Sequence, residues 1–263
     1  MRLFLKLGGS LITDKTREAS FLSERMAALA AAIAAARANN PSLQLLIGHG
    51  SGSFGHFAAR RFGTVAGVQT AEQWAGFAEV GRTARQLNHL VTEALVEAGL
   101  PVWPLQPSAS AQCADGVLQH LAVEPVQAAL EQGLVPLVYG DVTLDAVRGG
   151  TIISTEMIFE YLAVRLRPRH VLLLGEVAGV LDADERLIPL ITPATLPELT
   201  AALGGSHGID VTGGMASKVQ DMVRLAEHVP GLTVHILSGL APDDVRAALI
   251  DPENSPGTRI TGF

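Results

Sequence analysis

Residues 43–56 read LQLLIGHGSGSFGH. The apolar run at 43–48 has the composition of a strand buried on both faces. It empties into four glycines within eight residues: Gly48, Gly50, Gly52 and Gly55. Such strands belong to mainly parallel sheets covered on both sides, the α/β class. Ligands in these sheets bind beyond the carboxyl ends of the strands. A glycine segment placed there offers closely spaced backbone N–H groups to an anion.

The same alternation extends outward in both directions. Residues 2–7 read as a strand ending at Gly8-Gly9. Residues 21–38 read as an amphipathic helix with Leu22, Met26, Leu29 and Ile33 on one face. Residues 71–98 read as a long helix with a break near Gly81. Strands at 101–105 and 134–139 flank a helix at 125–132, and 141–153 read as a hairpin turning at Arg148-Gly149-Gly150. Helices at 156–166, 216–228 and 242–250 alternate with strands at 170–174 and 232–237, and small strands are expected around Asp182 and Pro189. No linker divides the chain, so residues 1–263 are expected to form one domain, with a soft boundary at Arg167-Pro168-Arg169.

Composition bounds the function. A content of 48% hydrophobic and 17% charged residues excludes a disordered chain. The net charge of −7 argues against nucleic acid or an anionic membrane as partner, so an anion site must be a local positive patch. The lone Cys113 can form neither an internal disulfide nor a cysteine metal cluster, and it fits a reducing, cytoplasmic setting. Neither a signal peptide nor a membrane helix is expected.

Three segments carry chemistry. In Lys6-Leu7-Gly8-Gly9-Ser10 a strand delivers a lysine to a glycine turn. In the segment at 48–56 His56 ends the loop and opens a helix. Residues 210–218, DVTGGMASK, open another helix with Gly213, Gly214 and Lys218 at its start, where backbone amides favour an anion. Each alone also describes an ordinary turn. The lysines shift the balance: of 19 Lys+Arg only Lys6, Lys15 and Lys218 are lysine, and all three lie in or beside these glycine motifs. A compact ammonium on a flexible stem suits a moving phosphoryl group, whose transfer needs positioning and charge neutralisation above all. Asp141, Glu156 and Glu176 are candidates to hold the lysines or Mg²⁺.

Together KLGGSLITDK (6–15), HGSGSFGH (49–56), YGDV (139–142) and DVTGGMASK (210–218) resemble the amino acid kinase family, and within it the isopentenyl phosphate kinases. The resemblance implies a homodimeric three-layer αβα sandwich, with acceptor in the N-terminal half (about 1–166) and ATP in the C-terminal half (about 167–263). It implies that Lys6, Gly8, Gly9, Ser10, Ser51, Gly52, Glu176, Gly213, Gly214 and Lys218 serve the nucleotide. Lys15 would stabilise the transferring phosphoryl group, and Gly50, Ser51, His56, Gly140 and Asp141 would face the acceptor, with Glu156 orienting a lysine. The chain departs from the family at Glu156, where an aspartate pair is usual. It departs again at Gly175-Glu176-Val177-Ala178-Gly179, where Thr-Asp-Val-Asp-Gly is usual.

The expected activity is ATP-dependent phosphorylation of isopentenyl phosphate, with Trp74, Phe77, Val80 and Leu87 offering an apolar stripe to a prenyl tail. A fosfomycin kinase is the alternative that shares the glycine loop ending in His56. A non-catalytic nucleotide sensor is the alternative of a different class.

Overall fold

A computed structural model describes residues 1–197, 199 and 215–263. Five strands run parallel side by side and form the middle of the molecule. They are β1 (Arg2–Leu7), β2 (Gln44–His49), β6 (Val135–Tyr139), β9 (His170–Gly175) and β11 (Thr233–Ser238). With β3 (Val102–Pro104), β10 (Leu190–Ile191) and β12 (Thr258–Thr261) they build an eight-stranded sheet of order β10-β12-β11-β9-β1-β2-β6-β3, in which only the β11–β12 pair is antiparallel.

Strand alternation sorts the side chains into two cores. Leu3, Leu5, Leu7, Leu45, Ile47, Leu172 and Leu174 face one side. They pack there against α2 (Ser23–Asn39), α4 (Ala71–Glu97) and α8 (Pro242–Ile250). Phe4, Leu46, Val138, Val171 and Val234 face the other. They meet α5 (Glu124–Glu131), α6 (Thr155–Leu166) and α7 (Met215–His228). The result is the expected αβα sandwich.

Beside it lies a four-stranded sheet of β4 (Gln112–Ala114), β5 (Val117–His120), β7 (Asp141–Asp145) and β8 (Gly149–Ile153), in the order β5-β4-β7-β8. The hairpin expected at 141–153 is β7–β8; the β4–β5 hairpin carried no sequence signal strong enough to place it. Among the described residues, no helix is long and apolar enough to cross a membrane.

Two expectations are corrected. α4 runs unbroken through Gly81, because this glycine serves close packing. A Cβ there would come within 3.0 Å of Val142 Cγ2 on β7, so its absence lets helix and hairpin meet. The glycine segment at 48–56 is also mostly helix: α3 (Gly52–Phe62) begins at Gly52, so His56 lies in its second turn and does not open it.

Candidate active site

The carboxyl edge of the sheet is bordered by glycines. Gly8 N–H donates to Leu174 O at 2.9 Å, Gly50 N–H to Leu7 O at 3.0 Å, Gly140 N–H to His49 O at 3.2 Å and Gly239 N–H to Gly175 O at 2.8 Å. The parallel ladder thus continues one residue past the strands, along a rim without side chains.

Two of these turns press together. A Cβ on Gly9 would lie 2.6 Å from Gly52 N, and one on Gly52 would lie 2.2 Å from Thr13 Oγ1. Gly52 also has φ +48°, a conformation that glycine adopts freely. The contact joins α1 (Gly9–Ile12), which carries Ser10, to the first turn of α3, which follows Ser51. Thr13 ties the joint: its Oγ1 donates to Gly9 O at 2.7 Å and accepts from Ser53 N–H at 2.9 Å. Ser53 in turn holds the next loop, since its Oγ accepts from Ser20 N–H at 3.2 Å. That loop carries Lys15, which is exposed.

Lys6 projects from β1 toward α6 and meets Glu156 there, Nζ to Oε1 2.6 Å. Burial alone would raise the Glu156 pKa. The Lys6 charge and hydrogen bond, aided by the Glu156 amide and Lys218, outweigh it and hold the carboxyl below its ordinary range. Ser154 caps this helix, its side chain accepting from Met157 N–H at 3.1 Å, which fixes where Glu156 starts.

His56 is exposed, with its ring partly desolvated by the protein around it. Protein packed around the ring, then the charges of Lys15, Arg60 and Lys218, push its pKa down. Lys15, His56 and Lys218 therefore share one electrostatic neighbourhood, and Lys218 also acts on Glu156.

The other acids are corrected. Asp141 is buried and holds no lysine: its carboxylate accepts from Ser108 N–H at 3.1 Å and Val142 N–H at 2.8 Å. Burial raises its pKa in spite of those bonds. Glu176 is exposed and pairs with Arg25 at 3.5 Å. Among the described residues no group of three His, Cys, Asp or Glu is placed to hold a metal. The candidate acids do not form a protein cage for Mg²⁺. Gly213 and Gly214 lie outside the described residues.

Sequence reasoning missed His49. It is buried and stacked on Tyr139, with ring centroids 5.6 Å apart. Nδ1 lies 3.0 Å from Gly50 O and Nε2 3.1 Å from Asn88 Oδ1 on α4. The ring thus steadies the Gly50 turn against a helix 39 residues away in sequence. Only its position before the glycine rim hinted at this.

A small apolar cluster joins α3, α4 and the β7–β8 hairpin. Ala58 of α3, Val80 of α4 and Val142 of β7 form a small buried cluster, with Ala59, Phe77 and Ile152 packed on it. Trp74 meets Phe77 edge-on at 5.3 Å. Leu87, expected in this stripe, belongs instead to the main core against the sheet.

A parallel-sheet sandwich with a glycine rim and converging lysines defines a phosphate-handling enzyme class. The chain belongs to the amino acid kinase family, whose model matches residues 1–238. It is 35% identical over 273 aligned residues to the isopentenyl phosphate kinase of Methanothermobacter thermautotrophicus, covering 99% of each chain. It is 38% identical to that of Haloferax volcanii, covering 98% of each. A crystal structure of an isopentenyl phosphate kinase superposes with a TM-score of 0.82 at 31% identity, covering 99% of this chain and all of the other. The Thermoplasma acidophilum isopentenyl phosphate kinase product complex superposes with a TM-score of 0.77 at 25% identity, over 99% of this chain and all of that one.

Proposed function

We propose that this chain is a kinase that transfers the γ-phosphoryl group of ATP directly to the phosphate oxygen of isopentenyl phosphate, giving isopentenyl diphosphate. The observation that carries this is the grouping of the Lys15 and Lys218 charges around His56, on a helix whose Ala58 and Ala59 pack in one apolar cluster with Phe77, Val80, Val142 and Ile152. Relatives bearing that name cover the chain almost end to end.

The acceptor oxygen is already ionised, so no strong general base is required. Lys6, held by Glu156, together with Lys15 and Lys218, would offset charge on the transferring oxygens, and the rim amides near Gly8, Gly9, Ser10, Ser51 and Gly52 would seat the phosphates. Gly50, Ser51, Gly140 and Asp141 would border the acceptor, whose phosphate His56 orients. In the free protein nearby cations and partial burial lower the imidazole pKa, and we assign the ring the orientation of the acceptor phosphate. Glu176 would lie toward the nucleotide, in the half from about residue 167 onward. Mg²⁺ would arrive with ATP on its phosphate oxygens, as small hard cations usually do. We further propose a cytoplasmic homodimer serving isoprenoid biosynthesis by a mevalonate-type route.

The relatives named above favour isopentenyl phosphate as acceptor over fosfomycin, which is small and polar. Replacing His56 with Ala tests the assignment. The KM for isopentenyl phosphate should rise about tenfold or more while ATP affinity holds. Equal losses for both substrates would remove His56 from the acceptor site.

A further inference from the structure

A phosphate monoester carries nearly two negative charges at neutral pH. In the acceptor site as built above, His56, with a lowered pKa, brings a hydrogen bond and no permanent charge, Lys6 is paired with Glu156, and Lys15 and Lys218 serve the transferred group. No full positive charge is yet dedicated to the acceptor.

Arg60 has the position to supply it. Gly52, His56 and Arg60 are spaced four apart on α3 and so share one edge of the helix. That edge begins where Gly52 packs on Gly9 and Thr13, and it runs outward through His56. Long helical side chains lean back toward the amino terminus, which carries the Arg60 guanidinium toward His56. Its charge acts on the His56 ring alongside those of Lys15 and Lys218. Arg60 is exposed and has no ion pair or side-chain hydrogen bond among the described residues, whereas the adjacent Arg61 pairs with Glu18 and Arg82 with Glu79. A guanidinium presents two parallel N–H groups to a phosphate, a fork that lysine lacks.

We propose that Arg60 binds the acceptor's phosphate together with His56, as the cation that selects a phosphorylated acceptor. This rests on the phosphorylated-acceptor reading above and names a residue that the family motifs leave out. The test uses the full chain, with Arg60→Ala and Arg60→Lys. In Arg60→Ala the KM for isopentenyl phosphate should rise about tenfold or more, with the KM for ATP changed by less than about twofold and partial recovery in Arg60→Lys.

Two readouts stand apart from turnover. Calorimetry should show inorganic phosphate binding to ADP-saturated protein weakened by a similar factor, and NMR should show the His56 pKa rising in Arg60→Ala. A merely structural arginine would move neither. Unchanged acceptor KM and phosphate affinity, or a loss shared equally with ATP, would overturn the proposal. Should the unaltered protein ignore isopentenyl phosphate, the acceptor reading fails by itself. The phosphate and NMR measurements then decide on Arg60: weaker phosphate binding together with a raised His56 pKa in Arg60→Ala supports it, and no change in either overturns it.

Discussion

Lys6 and Glu156 stand 150 residues apart and meet at 2.6 Å, with 14% and 22% of their side chains exposed. At that degree of burial an ammonium needs its carboxylate, and the carboxylate fixes where the ammonium points. Glutamate is one methylene longer than the usual family aspartate, and the contact is made all the same. Replacing Glu156 with Gln should leave circular dichroism unchanged and cut kcat by about a hundredfold, the scale set by misplacing a charge near the reacting atoms. An unchanged kcat would show that Lys6 needs no orientation. Here the sequence was legible through rarity: three lysines, each beside a glycine turn. Residue types alone left Asp141, Glu156 and Glu176 level; the family resemblance singled out Glu156 as orienting a lysine, and the fold shows that lysine to be Lys6. Asp141, which looked equivalent, meets no lysine among the described residues and accepts instead from Ser108 N–H.

At the scale of elements, the joint between the two glycine turns governs the site. Gly52 and Gly63 bracket the same helix, and both have positive φ, +48° and +63°. A Cβ on Gly63 meets nothing within 4 Å, whereas one on Gly52 strikes Thr13 and Gly9. Gly63→Ala should therefore cost about 1 kcal/mol, the left-handed backbone penalty alone. Gly52→Ala should cost at least about 2 kcal/mol more in urea unfolding and should displace Lys15 through Thr13 and Ser53. Equal costs would mean that the turns are not locked together. Strands and helices were readable from apolar spacing, since burial on two faces leaves that mark in the chain. The start of α3 and the continuity of α4 were not. At Gly52 and Gly81 glycine answers a partner distant in sequence, and local propensity does not record that partner.

Across the whole molecule, the glycine rim occupies one edge of the sheet and a pair of buried histidines lies toward the other. His170 at the start of β9 and His235 of β11 are buried, their ring nitrogens 3.2 Å apart. Burial, the neighbouring His170 and Arg259 push His235 down to about 4. Burial also lowers His170, in spite of Glu253. Both rings are neutral in the fold, while an unfolded imidazole takes a proton near pH 6.5. Stability is therefore full above about pH 6.5 and falls as pH drops toward about 4, by roughly 3 kcal/mol from His235. Urea midpoints across that range should show the fall, and His235→Leu should shrink it; a flat profile would contradict the neutral buried pair.

The same large-scale view explains the charge. A protein of net charge −7 gathers cations at one rim, which is what a phosphate site requires of an acidic chain. The most direct test of that site is ADP release from the purified protein with ATP and Mg²⁺, offered isopentenyl phosphate, fosfomycin or glutamate. The account predicts rapid release with isopentenyl phosphate alone. Preference for fosfomycin, or silence with all three, would contradict it.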